Sequence, residues 1–183
     1  MSLPKTKTVY FEKGGPENTD ATLALAMERA VQLGLHDVVV ASTSGATGAR
    51  AATLFAGFNV VAVNGIYPER LDATHRQTIA AAGAHVVFAG HAFGMLGRAV
   101  KRKLGAVQAD EIIAQTLKTF GDGLKVAAEV SCMAVDAGLV APGTEIVAIG
   151  GSGSGADTAI IIRATHTQDF LDARILELVC KPR

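Results

Sequence analysis

A short run of β-branched residues, Asp37–Ala41 (DVVVA), most constrains the fold of this chain. Its apolar residues are consecutive, and no polar residue alternates with them, which is typical of a strand buried on both faces of a parallel sheet. Such a strand needs a layer of helices above and below it. Stretches with the apolar spacing of helices lie on both sides of the run. The sequence therefore predicts a three-layer α/β/α sandwich with a mostly parallel sheet.

The same patterns along the chain predict seven strands and six helices. The strands are Thr8–Phe11, Asp37–Ala41, Asn59–Val63, Ala84–Ala89, Glu145–Ile149, Thr158–Arg163 and Ile175–Val179. The helices run from an N-cap at Asn18 to Gly34, from the loop ending at Gly48 to about Ala56, and over Glu69–Ala82, His91–Leu104, Asp110–Phe120 and Asp122–Gly138. The last helix is apolar nearly all round, so we expect it to be buried. No linker or repeat interrupts the pattern, which indicates a single domain over residues 1–183.

The composition excludes several classes of protein. The 183 residues are 49% hydrophobic, and 17 basic residues balance 17 acidic ones. A neutral chain with 5% aromatic residues has no field or stacking surface for nucleic acid, and no apolar run is long enough to cross a membrane. The N-terminus lacks the apolar segment of a secretory signal, so we expect a cytoplasmic protein. Cys132 and Cys180 lack metal-ligand spacing, and we expect neither a disulfide nor a metal site.

The loop after the first buried strand has a composition suited to an anion. Ser42–Gly48 reads STSGATG, with a strand before it and a helix after it. Hydroxyl groups and free backbone N–H groups would meet there at a helix N-terminus, where the helix dipole favours negative charge. An ordinary connection whose hydroxyls only cap the helix is the alternative. The residues that we expect to bind a phosphate are Ser42, Thr43, Ser44, Gly45 and Thr47.

A second glycine-rich loop follows the strand Glu145–Ile149. Gly150–Ala156 reads GGSGSGA and matches the spacing of a dinucleotide fingerprint. That fingerprint requires a helix next, whereas Thr158–Arg163 has the pattern of a strand. The sequence therefore favours a close-approach loop between two strands over a Rossmann site. A plain hairpin connection is the alternative.

Other candidate residues follow the ends of strands. Ligands of open α/β sheets bind beyond the carboxyl ends of the strands. If the strands before the two glycine-rich loops are neighbours, both loops line one crevice. Gly151, Ser152 and Gly153 would then form a backbone wall, and Asn64, His91, Phe93 and Asp157 would reach the ligand.

Three of those side chains, and also that of Glu129, have an ordinary explanation. His91 could bind the ligand, transfer a proton or be solvated in a loop, and Phe93 could belong to the core. Asp157 could bind a ligand hydroxyl or only fix its own loop. Burial of Glu129 on the apolar helix would raise its pKa, unless Lys125 neutralises it as an i,i+4 pair.

Part of the sequence resembles a known family. The segment Val39–Thr47 (VVASTSGAT), within Asn18–Val63, resembles the C-terminal α/β domain of pyruvate kinase. In that family this loop holds a phosphate of an allosteric sugar bisphosphate. The catalytic barrel is absent, so the resemblance does not imply pyruvate kinase activity. Nearly the whole chain is similar to stand-alone proteins of this kind, in the motifs Phe11–Lys13, Glu17–Thr19, Gly90–Ala92, Gly97-Arg98, Ala134–Leu139 and Gly155–Ala159.

The resemblance implies a fold and a ligand. The fold is a mixed five-stranded sheet of order 3-2-1-4-5 with the last strand antiparallel. The ligand is of the flavin mononucleotide (FMN) type, bound between the two glycine-rich loops; no catalytic residues are transferred. We therefore expect a protein that binds a phosphorylated small molecule, with FMN as the cofactor. A sensor of a sugar phosphate without catalysis, a flavin-dependent oxidoreductase and an empty oligomeric scaffold are the alternatives, and a homo-oligomer fits each of them.

Overall fold

A computed structural model of the chain describes residues 6–183 and contains one mixed sheet. Its strands are β1 (Val9–Phe11), β2 (Asp37–Ala41), β3 (Asn59–Asn64), β4 (His85–Phe88), β5 (Glu145–Gly150), β6 (Thr158–Arg163) and β7 (Arg174–Pro182). Its α-helices are α1 (Thr19–Leu33), α2 (Ala46–Leu54), α3 (Ala73–Ala81), α4 (Met95–Leu104), α5 (Ala109–Lys118) and α6 (Asp122–Asp136). Short 3₁₀ turns lie at Pro16–Asn18, Pro68–Arg70 and Thr167–Asp172.

The sheet has seven strands in the order β1-β7-β6-β5-β2-β3-β4. The strands β2, β3, β4 and β5 pair in parallel, whereas β6 is antiparallel to both of its neighbours, β5 and β7. The five-stranded sheet and the order implied by the resemblance are therefore wrong. The two additional strands, β1 and β7, lie together beyond β6 and pair in parallel with each other. Both had been predicted from their own residues, because each has a local strand pattern.

Alternate residues of the central strands contribute to two separate cores. Val38 and Val40 of β2 belong to one core with residues of α1, α2 and α3, whereas Val39 belongs to the other with residues of α5 and α6. Successive side chains of a strand point to opposite faces, so this division shows helices on both sides of the sheet. The α/β fold predicted from the buried run is confirmed, and so is the mixed sheet that the resemblance implies.

Helix α6 lies directly on the sheet and carries much of the second core. Twelve of its residues are buried, including the charged Lys125 and Glu129. The prediction that this helix is buried is therefore confirmed. Its contacts are with β2, β3, β5 and β6, and α5 packs on its outer side.

Helix boundaries follow local chemistry in two cases and depart from it in one. Gly34, with φ of 66°, ends α1 and donates its N–H to Ala30 and Val31. The carboxylate of Asp72 accepts hydrogen bonds from the Thr74 and His75 N–H groups and so caps α3. Asn18 occupies the N-cap position of α1, but its side chain does not cap the helix and instead donates to the Lys13 carbonyl at 2.8 Å.

No helix among residues 6–183 has the length and apolarity needed to span a membrane.

Candidate functional site

A cavity of about 500 Å³ opens at the carboxyl ends of β2, β3 and β5. The pairing of β2 with β5, in which Val39 lies opposite Ala148, places the two glycine-rich loops side by side. Both loops line the cavity, as the sequence predicted for neighbouring strands. The remaining lining comes from the segment after β3, from the segment between β4 and α4, and from α4 and α6.

The first loop is fixed by its own serine. The Ser42 N–H donates to the Val63 carbonyl at 2.9 Å, which ties the loop to β3. The Ser42 hydroxyl oxygen accepts a hydrogen bond from the Gly48 N–H at 2.8 Å. This hydroxyl therefore satisfies one of the free donors at the start of α2, and Ser42 is itself buried.

Several donors of the first loop have no partner in the protein. Within residues 6–183, the backbone N–H groups of Ser44, Gly45 and Thr47 have no hydrogen-bond acceptor. The hydroxyl groups of Thr43 and Thr47 are also without a hydrogen bond in that part of the chain. Thr43, Ser44 and Thr47 line the cavity. Of these residues, Gly45 and Thr47 are buried, whereas Thr43 and Ser44 are exposed. Donors without a partner at a helix N-terminus form a ready site for an anion.

Gly45 shapes this loop from outside the cavity. Its φ is +88°, a conformation that favours glycine, and a Cβ there would overlap with Leu71 and lie 2.7 Å from the Cβ of His75. The Ser44 carbonyl accepts the Asp72 N–H at 3.1 Å. The start of α3 therefore packs against the back of the loop and leaves no room for a side chain at Gly45.

Asn64, at the end of β3, contributes an unusual buried group. The residue is 2% exposed and lines the cavity. Its side-chain nitrogen donates to the Ser42 carbonyl at 3.2 Å and to the Thr43 carbonyl at 2.6 Å. Its Oδ1 has no hydrogen-bond partner within the described part of the chain. A buried acceptor without a partner costs free energy, so this atom is open to a donor from a ligand.

The second loop is held from behind by Asp157. The Asp157 carboxylate is fully buried and accepts hydrogen bonds from the Gly15 N–H at 3.1 Å, the Ser152 N–H at 3.0 Å and the Thr158 hydroxyl at 2.8 Å. Its oxygens are therefore engaged within the protein. Asp157 fixes its own loop, which was one of the two roles considered for it.

Glu129 of α6 is a buried carboxylate at the cavity. It is 2% exposed, and its Oε2 lies 2.5 Å from Lys125 Nζ and 3.2 Å from His91 Nδ1. Its Oε1 accepts the Phe93 N–H at 2.9 Å. The i,i+4 pair with Lys125 is confirmed, and the contact with His91 is additional to it.

The pKa of Glu129 lies below its usual value despite the burial of the residue. Burial by itself raises the pKa, as the sequence argument expected. The hydrogen bond from His91, the charge and hydrogen bond of Lys125 and the Phe93 N–H together outweigh it. Glu129 is therefore ionised at neutral pH.

The structure brings together eight of the twelve residues predicted for the site. Those lining the cavity are Ser42, Thr43, Ser44, Thr47, Asn64, His91, Gly151 and Gly153. The lining does not include Gly45, Phe93, Ser152 or Asp157. Phe93 is 4% exposed and packs in the core, with its ring centroid 4.5 Å from that of Phe170.

Two cationic side chains of the cavity were not predicted as site residues. Arg70 follows β3, and Arg98 lies on α4. Arg98 enters the sequence argument only through the motif Gly97-Arg98, and Arg70 lies in the predicted helix Glu69–Ala82. A single arginine in either segment has no pattern that marks a phosphate site. Within residues 6–183, no group of three or more His, Cys, Asp or Glu side chains is placed to hold a metal ion.

Both cysteines are expected to be unreactive in the folded protein. Cys132 and Cys180 are free and buried, and burial raises the pKa of each thiol to about 11. Because the thiolate is the reactive form, iodoacetamide at neutral pH should leave both unmodified until the protein is unfolded. Mass spectrometry of native and denatured samples measures this, and rapid labelling of the native protein would contradict the buried placement.

Comparison with solved structures finds several similar proteins. The chain is similar in structure to two pyruvate kinase structures from Cryptosporidium parvum, one of them in complex with ADP. Each covers 88% of this chain with a TM-score of 0.44, at 15% and 16% sequence identity. This chain spans about a quarter of their length, 24% and 25%. An O-ureido-L-serine synthase structure matches 49% of this chain and 30% of its own, with a TM-score of 0.33 and 25% identity.

The sequence model of the family described as the pyruvate kinase alpha/beta domain matches residues 20–162, which include α1 to α6 and β2 to β5. That range contains both glycine-rich loops and the charged residues at the cavity. The chain belongs to the pyruvate kinase alpha/beta domain family.

Proposed function

We propose that the cavity binds a phosphorylated small molecule, with its phosphate on the loop Ser42–Thr47 and with FMN as the ligand. The proposal rests on one observation. The backbone N–H groups of Ser44, Gly45 and Thr47 lie at the N-terminus of α2 without an acceptor in the described part of the chain. A phosphate oxygen would accept these hydrogen bonds, and the helix dipole would favour its charge.

The charges of the cavity support the same assignment. Arg70 and Arg98 line it and carry positive charge. Among residues 6–183, Glu129 is the one carboxylate in the lining, and Lys125 at 2.5 Å already neutralises it. A dianionic phosphate would therefore meet donors and cations rather than an unpaired negative charge.

The size and walls of the cavity suit the remainder of FMN. A volume of about 500 Å³ is within the range of small-molecule sites. Val126, Val130 and Met133 of α6 and Met95 of α4 give an apolar surface for a flat ring. The free Oδ1 of Asn64 would accept a hydrogen bond from a ribityl hydroxyl or a ring N–H. FMN bound there would supply redox chemistry at its isoalloxazine ring.

A titration of the purified protein with FMN and with riboflavin tests the assignment. The two compounds share the ring and the ribityl chain, and only FMN carries the phosphate. We expect FMN to bind at least tenfold more tightly, because charge-assisted hydrogen bonds are worth about 1.5–3 kcal/mol each. Quenching of flavin fluorescence measures both affinities. Equal affinities would contradict the phosphate site, and a melting temperature raised by a sugar phosphate but not by FMN would favour the sugar-phosphate sensor.

A double substitution tests the loop itself. Ser44→Ala with Thr47→Val removes two hydroxyl groups at the cavity and keeps the backbone donors. We expect FMN affinity to fall by roughly tenfold for each hydroxyl that binds the phosphate, about 1.4 kcal/mol apiece. Thr53→Val is the matched control on the same helix, since Thr53 is exposed and its hydroxyl donates to the Ala49 carbonyl. Calorimetric affinities unchanged in the double variant would contradict the assignment.

A further inference from the structure

We propose that His91, held by Glu129, is the general base of the cavity and takes a proton from an O–H or N–H group of the bound molecule. The inference rests on the proposed function, because a bound phosphorylated compound is its substrate. In the step, the ligand's O–H or N–H bond breaks and a new N–H bond forms at His91 Nε2. The electron pair stays on the ligand atom, which becomes an anion, and the imidazole becomes an imidazolium.

The geometry orients the imidazole ring. His91 Nδ1 lies 3.2 Å from Glu129 Oε2. An ionised carboxylate only accepts hydrogen bonds, so in the neutral ring Nδ1 carries the proton and Nε2 is the unprotonated nitrogen. A carboxylate that holds histidine in this tautomer is the arrangement used by general bases.

The other ring nitrogen is available at the cavity. His91 Nε2 has no hydrogen-bond partner within residues 6–183, and the side chain is 40% exposed. A Cβ built at Gly65, another lining residue, would lie 3.9 Å from this nitrogen. Because residue 65 is glycine, no side chain from this position lies next to Nε2.

Glu129 also holds the backbone of the segment that carries His91. Its Oε1 accepts the Phe93 N–H at 2.9 Å, and Phe93 packs in the core two residues beyond His91. One carboxylate thus contacts the imidazole and anchors its loop. A base must be positioned before it can act, and these contacts supply that positioning.

Four charged side chains lie around the His91 imidazole ring. Lys125 and Glu129 face it from α6, Arg98 lines the cavity from α4, and Arg70 lines it from the segment after β3. Glu129 stabilises an imidazolium, whereas the three cations oppose it. The same arginines would stabilise an anion formed on the ligand.

A second histidine provides an internal control. His166 Nδ1 lies 3.0 Å from the Asp136 carboxylate, and its side chain is 41% exposed. The pair thus resembles His91 and Glu129 in distance and in exposure of the histidine. His166 does not line the cavity between the glycine-rich loops, so a ligand bound there should not affect it.

Nitrogen NMR of ¹⁵N-histidine-labelled protein tests the tautomer without any ligand. We expect neutral His91 to be protonated at Nδ1, and Glu129→Gln to give a mixture of tautomers, because an amide can donate as well as accept. His91→Gln assigns the resonances. Protonation of neutral His91 at Nε2 in the wild-type protein would overturn the proposal, whether or not Glu129→Gln folds.

Ligand protection tests whether the base faces the bound molecule. With saturating FMN, we expect modification of His91 by diethylpyrocarbonate to slow more than tenfold, with the rate at His166 changed less than twofold. The His91 Nε2 resonance should also move toward that of a protonated nitrogen. If flavin fluorescence shows that FMN is bound and neither His91 signal changes, the general base is overturned. If FMN does not bind, the proposed function is contradicted, and so is a general base that acts on FMN. The tautomer spectrum still tests the pair of His91 and Glu129 in that case.

Discussion

Replacement of Glu129 by leucine is expected to lower the free energy of unfolding by about 3–5 kcal/mol. The carboxylate is 2% exposed and lies 2.5 Å from Lys125 Nζ, which is itself buried. Leucine leaves that buried ammonium without its partner. It also removes the acceptor of the Phe93 N–H. Denaturant unfolding followed by circular dichroism measures the loss.

The double variant Lys125→Met with Glu129→Leu is the control for this prediction. It removes both charges and fills the space with apolar side chains, which is often neutral or stabilising for a buried ion pair. We therefore expect it to recover most of the stability lost in Glu129→Leu. A double variant no more stable than the single one would show that the loss came from the contacts to Phe93 and His91 rather than from the unpaired ammonium.

The same carboxylate makes stability depend on acid pH. The pKa of Glu129 in the folded protein lies below its usual value, because His91, Lys125 and the Phe93 N–H outweigh the effect of burial. The unfolded chain therefore takes up the proton at higher pH than the folded one. The stabilisation is complete above the ordinary glutamate pKa and is lost as the pH falls toward the folded value. Unfolding free energies measured across that range should fall less steeply in the double variant than in the wild type.

The central part of the fold could be predicted because burial on two faces leaves a strong pattern. The run Val38–Val40 contributes to both cores, so no position in it tolerates a polar side chain. The strands β1 and β7, at one side of the sheet, have a weaker pattern, since Tyr10, Ile175 and Leu176 are exposed. Local residues nevertheless identified both strands. The five-stranded sheet was wrong because it came from the resemblance, which did not describe the additional strands of this chain.

Only those parts of the site that lie directly after strands could be predicted from the sequence. The loops after β2 and β5 meet because parallel neighbours end at the same edge of a sheet. The contact between His91 and Glu129 joins residues 38 positions apart on a loop and a helix. No local sequence pattern shows that the face of α6 that carries Glu129 packs next to the loop that carries His91. The sequence therefore indicated both residues separately but could not place them together.

The substitution Gly150→Ala is expected to destabilise the protein by about 3 kcal/mol, at the upper end for overpacking of a core. Gly150 ends β5 directly against the first turns of α6. A Cβ at this position would overlap with the Gly123 carbonyl oxygen and lie 2.8 Å from the Ala127 nitrogen. Both obstacles are backbone atoms of one helix, which cannot move aside as a flexible side chain can. To avoid this overlap, α6 would have to shift away from the sheet. Denaturant unfolding measures the resulting loss of stability.

The function should be affected together with the stability, because α6 carries Glu129 and Gly150 is the first residue of the second glycine-rich loop. A shift of the helix would move two walls of the cavity at once, so we expect FMN affinity to fall as well. Gly65→Ala is the matched control for stability. A Cβ there would meet only His91 Nε2, at 3.9 Å, and the expected change is within about 0.5 kcal/mol. Equal stability of the two variants would contradict the close approach of β5 to α6. It would also contradict the position of the cavity wall that depends on this contact.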